Sequence, residues 1–163
     1  MDKTKRQLLK DLAGAYFSAR KNFKNNFKGN DNIVAIIGEE IAVQFLEDMG
    51  RTEVLRTESK RNSAVDIISK YNEVEVKTSV KVITSENRVH RTSKIVAGWD
   101  ELLVVVLNND YKIENIYVIL SGALKSAIDL GIVPSDSYLT VGMLEKLVIA
   151  SEKYACSTKI DYL

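Results

Sequence analysis

Residues 63–79, SAVDIISKYNEVEVKTS, decide how this chain folds, because two apolar runs flank a short polar break. Runs rich in Val and Ile on both sides of such a break predict a β-hairpin. We place its strands near residues 63–69 and 72–78, with the turn at Tyr71-Asn72. The hairpin is therefore the predicted centre of the fold.

Three charged residues, Asp66, Glu75 and Lys77, are set into these apolar runs. Strand residues two apart project from the same face, so Glu75 and Lys77 share a face, and Asp66 on the neighbouring strand is expected a few ångströms from Glu75. Two carboxylates, with the backbone carbonyl of Val76 as a third ligand, suit a hard divalent cation that also takes phosphate oxygens. The alternative is an exposed hairpin on which Glu75 and Lys77 are ordinary surface residues.

The rest of the chain predicts a sheet with helices before and after it. Apolar periodicity indicates helices over residues 4–27, 32–48, 121–130 and 140–154, and strands over 52–56, 102–107 and 113–120. Gly50 is expected to close the second helix. This order favours an α/β fold with a mixed central sheet flanked by helices.

Length and composition indicate one domain, because 163 residues suffice for a single core and no linker interrupts them. We divide it into a basic N-terminal helix (1–30), a core (31–120) and C-terminal helices (121–163). No apolar run approaches the roughly 20 residues that span a bilayer, so no membrane association is expected. The single cysteine, Cys156, cannot form an internal disulfide, which favours the cytoplasm.

The net charge of +1 hides two basic segments. Residues 1–28 hold eight Lys or Arg against two Asp or Glu, and residues 51–95 hold ten against six. Basic surface around the hairpin suits a nucleic-acid partner. Solvated surface charge explains the same pattern equally well.

With these residues, the hairpin resembles the PD-(D/E)xK nuclease superfamily. Asp66 takes the first acidic position, Glu75 the second and Lys77 the lysine, although Val65 stands where the family often has proline. The segment Gly38–Ala42, GEEIA, is similar to the first core helix of the family. The resemblance assigns Glu39 to the active site, with Glu40 as the competing choice, and it spans about residues 33–120.

The resemblance implies a restriction-endonuclease-like fold and an endodeoxyribonuclease that depends on magnesium (Mg²⁺), for which Mn²⁺ can substitute. Asp66, Glu75 and the Val76 carbonyl would bind the metal, and Lys77 would assist the attacking water. The chain looks most like a small type II restriction endonuclease acting on DNA as a homodimer. A Holliday-junction resolvase and a non-catalytic DNA-binding subunit with the same fold are the alternatives.

The polar segment after the hairpin has no apolar period and reads as a loop. It carries side chains that commonly contact bases and phosphates. We predict DNA contacts from Asn87, Arg88, His90, Arg91, Ser93 and Lys94. An ordinary solvent-exposed loop is the alternative.

Overall fold

A computed structural model describes residues 7, 10–16, 18, 32–57, 64–84, 91–108, 112–134, 138–154 and 157–160. Its elements, in chain order, are α1 (Asn32–Asp48), β1 (Thr52–Arg56), β2 (Ile67–Tyr71), β3 (Val74–Thr84), β4 (Glu101–Leu107), β5 (Ile113–Leu120), α2 (Ser121–Asp129), α3 (Val141–Tyr154) and β6 (Ser157–Ile160). Residues 10–16 are also helical, in agreement with the N-terminal helix predicted over 4–27. The remainder of that helix, apart from Gln7 and Ser18, lies outside the described residues.

The six strands form one mixed sheet in the order β1-β2-β3-β4-β5-β6. Only β3 and β4 run parallel; every other neighbouring pair is antiparallel. All seven residues of β4 are buried, which is typical of a strand covered on both faces. The predicted mixed α/β fold is confirmed, and β6, which the sequence did not predict, adds a strand at the edge.

Each face of the sheet packs against its own helices. On the α1 face, Phe45 and Leu46 of the helix contact Ile67, Val80 and Leu103. On the opposite face, which we call the α2–α3 face, side chains of β3, β4 and β5 pack with the two C-terminal helices. That second cluster includes Ile83, Leu102, Val104, Tyr117, Leu124, Ala127, Leu144 and Leu147. The core therefore lies in two layers, with the sheet between them.

The β2–β3 hairpin turns at Asn72-Glu73, one residue later than predicted. Tyr71 pairs with Val74, and the two residues between them have positive φ angles of 49° and 65°. Positive φ at both central positions is the geometry of a two-residue turn that matches strand twist. Strand β3 then continues to Thr84, well past the predicted end at residue 78.

Helix α1 approaches β3 so closely that it requires glycine. A Cβ atom added to Gly38 would lie 2.1 Å from Cγ2 of Val82. The helix ends as predicted at Gly50, whose φ is +79°, and the N–H of Arg51 donates to the carbonyl of Leu46 at 3.0 Å. The close approach of Gly38 to Val82 fixes α1 above the part of β3 that follows residue 79.

We expect Gly38→Ala to destabilise the fold by about 1–3 kcal/mol, because overpacking outweighs the better helix propensity of alanine. Urea unfolding followed by circular dichroism measures the change. Gly122→Ala is the matched control, since nothing lies within 4 Å of a Cβ at that position. Equal stability of the two variants would contradict the close packing of α1 on β3.

Among the described residues, no helix is both long enough and apolar enough to cross a bilayer.

Candidate functional site

The carboxylate of Asp66 is held by β3 at the point where β2 begins. Its Oδ2 accepts a hydrogen bond from the N–H of Val80 at 2.7 Å and one from the hydroxyl of Ser79 at 3.3 Å. The N–H of Asp66 donates to the carbonyl of Thr78 at 2.9 Å. Within the described part of the chain, Oδ1 takes no hydrogen bond, so half of the carboxylate is available for a ligand.

The hairpin register separates Glu75 from Asp66 and places Lys77 two residues before Ser79, on the turn side of the Asp66 contact. Glu75 pairs with Lys70 and Lys77 with Ile68, and both charged side chains are exposed. Glu75 lies four residues before Ser79, which is about 13 Å along an extended strand. The expectation that Asp66 and Glu75 lie a few ångströms apart is therefore wrong in this structure.

Val76 is likewise remote from the Asp66 carboxylate, because it pairs with Ser69 near the hairpin turn. The backbone of Lys77 is hydrogen-bonded to the loop before β4. Its N–H donates to Oδ2 of Asp100 at 2.8 Å, and its carbonyl accepts from the N–H of Asp100 at 2.8 Å. Lys77 thus anchors this loop through its main chain.

Ser79 and Lys81 flank Val80 on β3, and Oδ2 of Asp66 accepts from the Ser79 hydroxyl and the N–H of Val80. Ser79 and Lys81 share the α2–α3 face of the strand, because they are two residues apart. Ser79 is buried and Lys81 is half-buried. The run Val74, Val76, Val80 and Val82, alternating with polar residues, was the sequence signal that β3 continues this far.

Glu39 and Glu40 reach the same end of the hairpin through Arg56. Arg56 pairs with Ile67, the residue after Asp66, and its guanidinium forms salt bridges with both glutamates. Burial lowers the pKa of Arg56, but the hydrogen bonds and charges of Glu39 and Glu40 outweigh it, so the pKa is raised. Glu39 is the more buried of the two, with 18% of its side chain exposed against 43% for Glu40.

A buried ion pair supports the start of β3 and β4 on the α1 face. Nη2 of Arg51 lies 2.7 Å from Oε2 of Glu101, and the hydroxyl of Thr78 donates to Oε1 of Glu101 at 2.8 Å. The guanidinium also lies 4.8 Å from the ring centre of Tyr71. Because Thr78 precedes Ser79, this network fixes the strand that carries the site.

Three of the six predicted DNA-binding residues are described, and all three are exposed: Arg91, Ser93 and Lys94. The guanidinium of Arg91 stacks 4.4 Å from the ring centre of Tyr138. Next to it, Thr92 is buried and exchanges hydrogen bonds with the backbone of Leu139. Asn87, Arg88 and His90 lie outside the described residues.

Comparisons with known proteins give a likeness in structure and none in sequence family. No protein-family model matches the chain, and no curated protein matches it. The chain is similar to a bacterial homing endonuclease, I-Ssp6803I, with 17% sequence identity and a TM-score of 0.49. The match covers 69% of this chain and 76% of that one.

Proposed function

We propose that this protein is a magnesium-dependent endodeoxyribonuclease that hydrolyses DNA phosphodiester bonds. The observation that carries the proposal is the carboxylate of Asp66, which β3 orients through Oδ2 while Oδ1 stays available. Asp66 lies at the open end of the hairpin, and Lys81 lies two residues after Ser79, which contacts Asp66 on β3. A carboxylate in this position can hold a cation against a phosphate.

The residues fit a cation that is held partly by the substrate. Within the described ranges, no three acidic, histidine or cysteine side chains come close enough to enclose a metal. Mg²⁺ is commonly bound through one or two carboxylates and substrate phosphate oxygens, so Asp66 alone can meet this requirement. The assignment of Glu39 to the active site, with Glu40 as the alternative, stays a sequence-based prediction. When bound, the cation would supply charge stabilisation and a more acidic water; Mn²⁺ is expected to substitute.

The protein's own residues would position these groups. Arg56 forms ion pairs with Glu39 and Glu40, offsets one of their two negative charges and holds them beside the end of β1. The roles of Glu75, Val76 and Lys77 stay sequence-based predictions, and variants at these positions test them. The proposal further includes a homodimer, because one active site cuts one strand, and a cytoplasmic restriction enzyme.

A panel of DNA substrates tests the function. The protein should cut DNA in Mg²⁺ or Mn²⁺ and stop in EDTA. Cleavage of linear duplex in preference to a four-way junction of the same sequence supports the restriction reading, and the opposite preference supports a resolvase. No cleavage of plasmid, branched or single-stranded DNA would overturn the nuclease proposal.

A DNA-binding subunit without catalysis is the second candidate, and the identity of residue 79 favours it. The β3 position that contacts Asp66 holds a serine and not a second carboxylate. A single strand carboxylate gives weaker cation binding than a pair, because each carboxylate adds charge and ligands. DNA binding without cation-dependent cleavage would identify this candidate.

Arg91 is expected to contact the DNA backbone in either case. Its guanidinium is exposed but held by stacking on Tyr138, so little side-chain entropy is lost on binding. We expect Arg91→Ala to weaken DNA binding and to lower the salt slope of log Kd by about 1, the value for one phosphate contact. Fluorescence anisotropy across a salt series measures both. Lys125→Gln, an exposed residue on α2, is the control; an unchanged slope in Arg91→Ala would contradict the contact.

A further inference from the structure

We infer that a DNA phosphate docks on β3 at Ser79 and Lys81, next to Asp66, and not at Glu75 and Lys77. The inference rests on the proposed function and deepens it, since it names the strand residues that receive the substrate. Three observations carry it. Among the described residues Lys81 has no acidic partner, Ser79 and Val80 hydrogen-bond to Asp66, and the hairpin register keeps Glu75 away from Asp66.

Lys81 is a half-buried residue, and among the described residues no acidic group lies within ion-pair distance of it. Three other cations beside the sheet have acidic partners. Arg51 binds Glu101, Arg56 binds Glu39 and Glu40, and Lys70 binds Glu53 at 2.8 Å. The ammonium of Lys81 is not among the buried polar atoms that lack a partner, so it reaches solvent although the residue is half-buried. A counter-ion from outside the chain, such as a phosphate, is therefore the expected partner of Lys81.

The position of Lys81 suits a phosphate that also contacts a cation on Asp66. The hydroxyl of Ser79 lies 3.3 Å from Oδ2 of Asp66, and Lys81 follows two residues later on the same face. That step is about 6.6 Å along a strand, and the flexible four-carbon stem of lysine can turn back across it. A phosphate between Lys81 and Asp66 would contact the lysine ammonium on one side and the cation bound to Asp66 on the other.

Ser79 contributes by being neutral. In the absence of a cation, a second carboxylate at this buried position would repel both Asp66 and an incoming phosphate, whereas a hydroxyl can donate a hydrogen bond to either. Lys77 is also two residues from Ser79, but its side chain is exposed and it lies three residues from Val80, whose N–H donates to Oδ2 of Asp66. The position of the Asp66 carboxylate therefore favours Lys81 over Lys77 as the phosphate ligand.

The test compares Lys81→Gln with Lys77→Gln, using Lys125→Gln as the matched exposed control. Binding of a short DNA duplex in Ca²⁺ is followed by anisotropy, and single-turnover cleavage is followed in Mg²⁺. We expect Lys81→Gln to lower the cleavage rate about 100-fold, the size found when one preorganised donor is removed. Its affinity for DNA should fall below that of the control. Lys81→Arg, which keeps the charge, should retain most of the binding.

The outcomes separate the two proposals. If the wild type cuts DNA and Lys77→Gln loses more activity and affinity than Lys81→Gln, the docking position is wrong while the nuclease function stands. If the wild type cuts no DNA but Lys81→Gln still binds more weakly than the control, the function is wrong while the phosphate contact stands. Thermal unfolding of each variant confirms that it is folded, and Lys81→Arg provides the comparison if Lys81→Gln is not.

Discussion

Arg51→Met is expected to destabilise the protein by about 3–5 kcal/mol, which is the usual cost of removing one partner from a buried ion pair. Only 1% of the Glu101 side chain and 14% of the Arg51 side chain are exposed. Methionine can still pack against Tyr71, but it leaves the Glu101 carboxylate buried without a counter-charge. Urea unfolding measures the loss, which should be the largest of any substitution considered for this fold.

The double variant Arg51→Met with Glu101→Gln is the control for this effect. Glutamine has no charge and keeps an oxygen that accepts the hydrogen bond from the Thr78 hydroxyl. We therefore expect the double variant to recover a substantial part of the lost stability. A single Arg51→Met variant that loses less than about 1 kcal/mol would show that the pair is as weak as a surface salt bridge.

Asp66→Asn should lower the rate of cation-dependent DNA cleavage at least about 100-fold. Loss of a group that only supports a metal ligand already costs about 10–100-fold, and Asp66 is proposed as a ligand itself. The asparagine oxygen can still accept the hydrogen bonds from Val80 and Ser79, so the strand ends should keep their geometry. Single-turnover cleavage in Mg²⁺ measures the rate.

Glu75→Gln, measured in the same cleavage assay, distinguishes a site at Asp66 and Lys81 from one at Glu75 and Lys77. The register places Glu75 about 13 Å from the level of Ser79, so its loss should matter far less than the loss of Asp66. Equal loss in the two variants would mean that the hairpin slides or bends when DNA binds. Undiminished cleavage in Asp66→Asn would remove Asp66 from the site.

The elements of the fold were largely predictable because their sequence patterns are strong. The near-continuous apolar run Leu102–Leu107 indicated a strand covered on both faces, and β4 is buried throughout. The helix over 32–48 ends at Gly50, as its glycine suggested. Strand β6 was missed because Ser157–Ile160 alternates too briefly to stand out.

The candidate site was less predictable, because it depends on the register of one turn. Asn72-Glu73 lacks the glycine that usually marks a two-residue hairpin turn, so the sequence predicts the turn one residue too early. The choice of Glu75 and Lys77 also followed from their charges and spacing, without the pairing partners. In the observed strand pairing Asp66 contacts Ser79. The neutral side chain of serine is not one that a sequence search for metal ligands selects.

Nicking of supercoiled plasmid by the wild-type protein tests the central claim most directly. The plasmid is incubated with increasing Mg²⁺, with Mn²⁺, and with either cation plus EDTA, and Asp66→Asn is run beside it. The account predicts open-circular or linear product that appears only with free cation and only with Asp66 present. Plasmid that stays supercoiled with folded wild-type protein in both cations, or that is cut equally in EDTA, would contradict it.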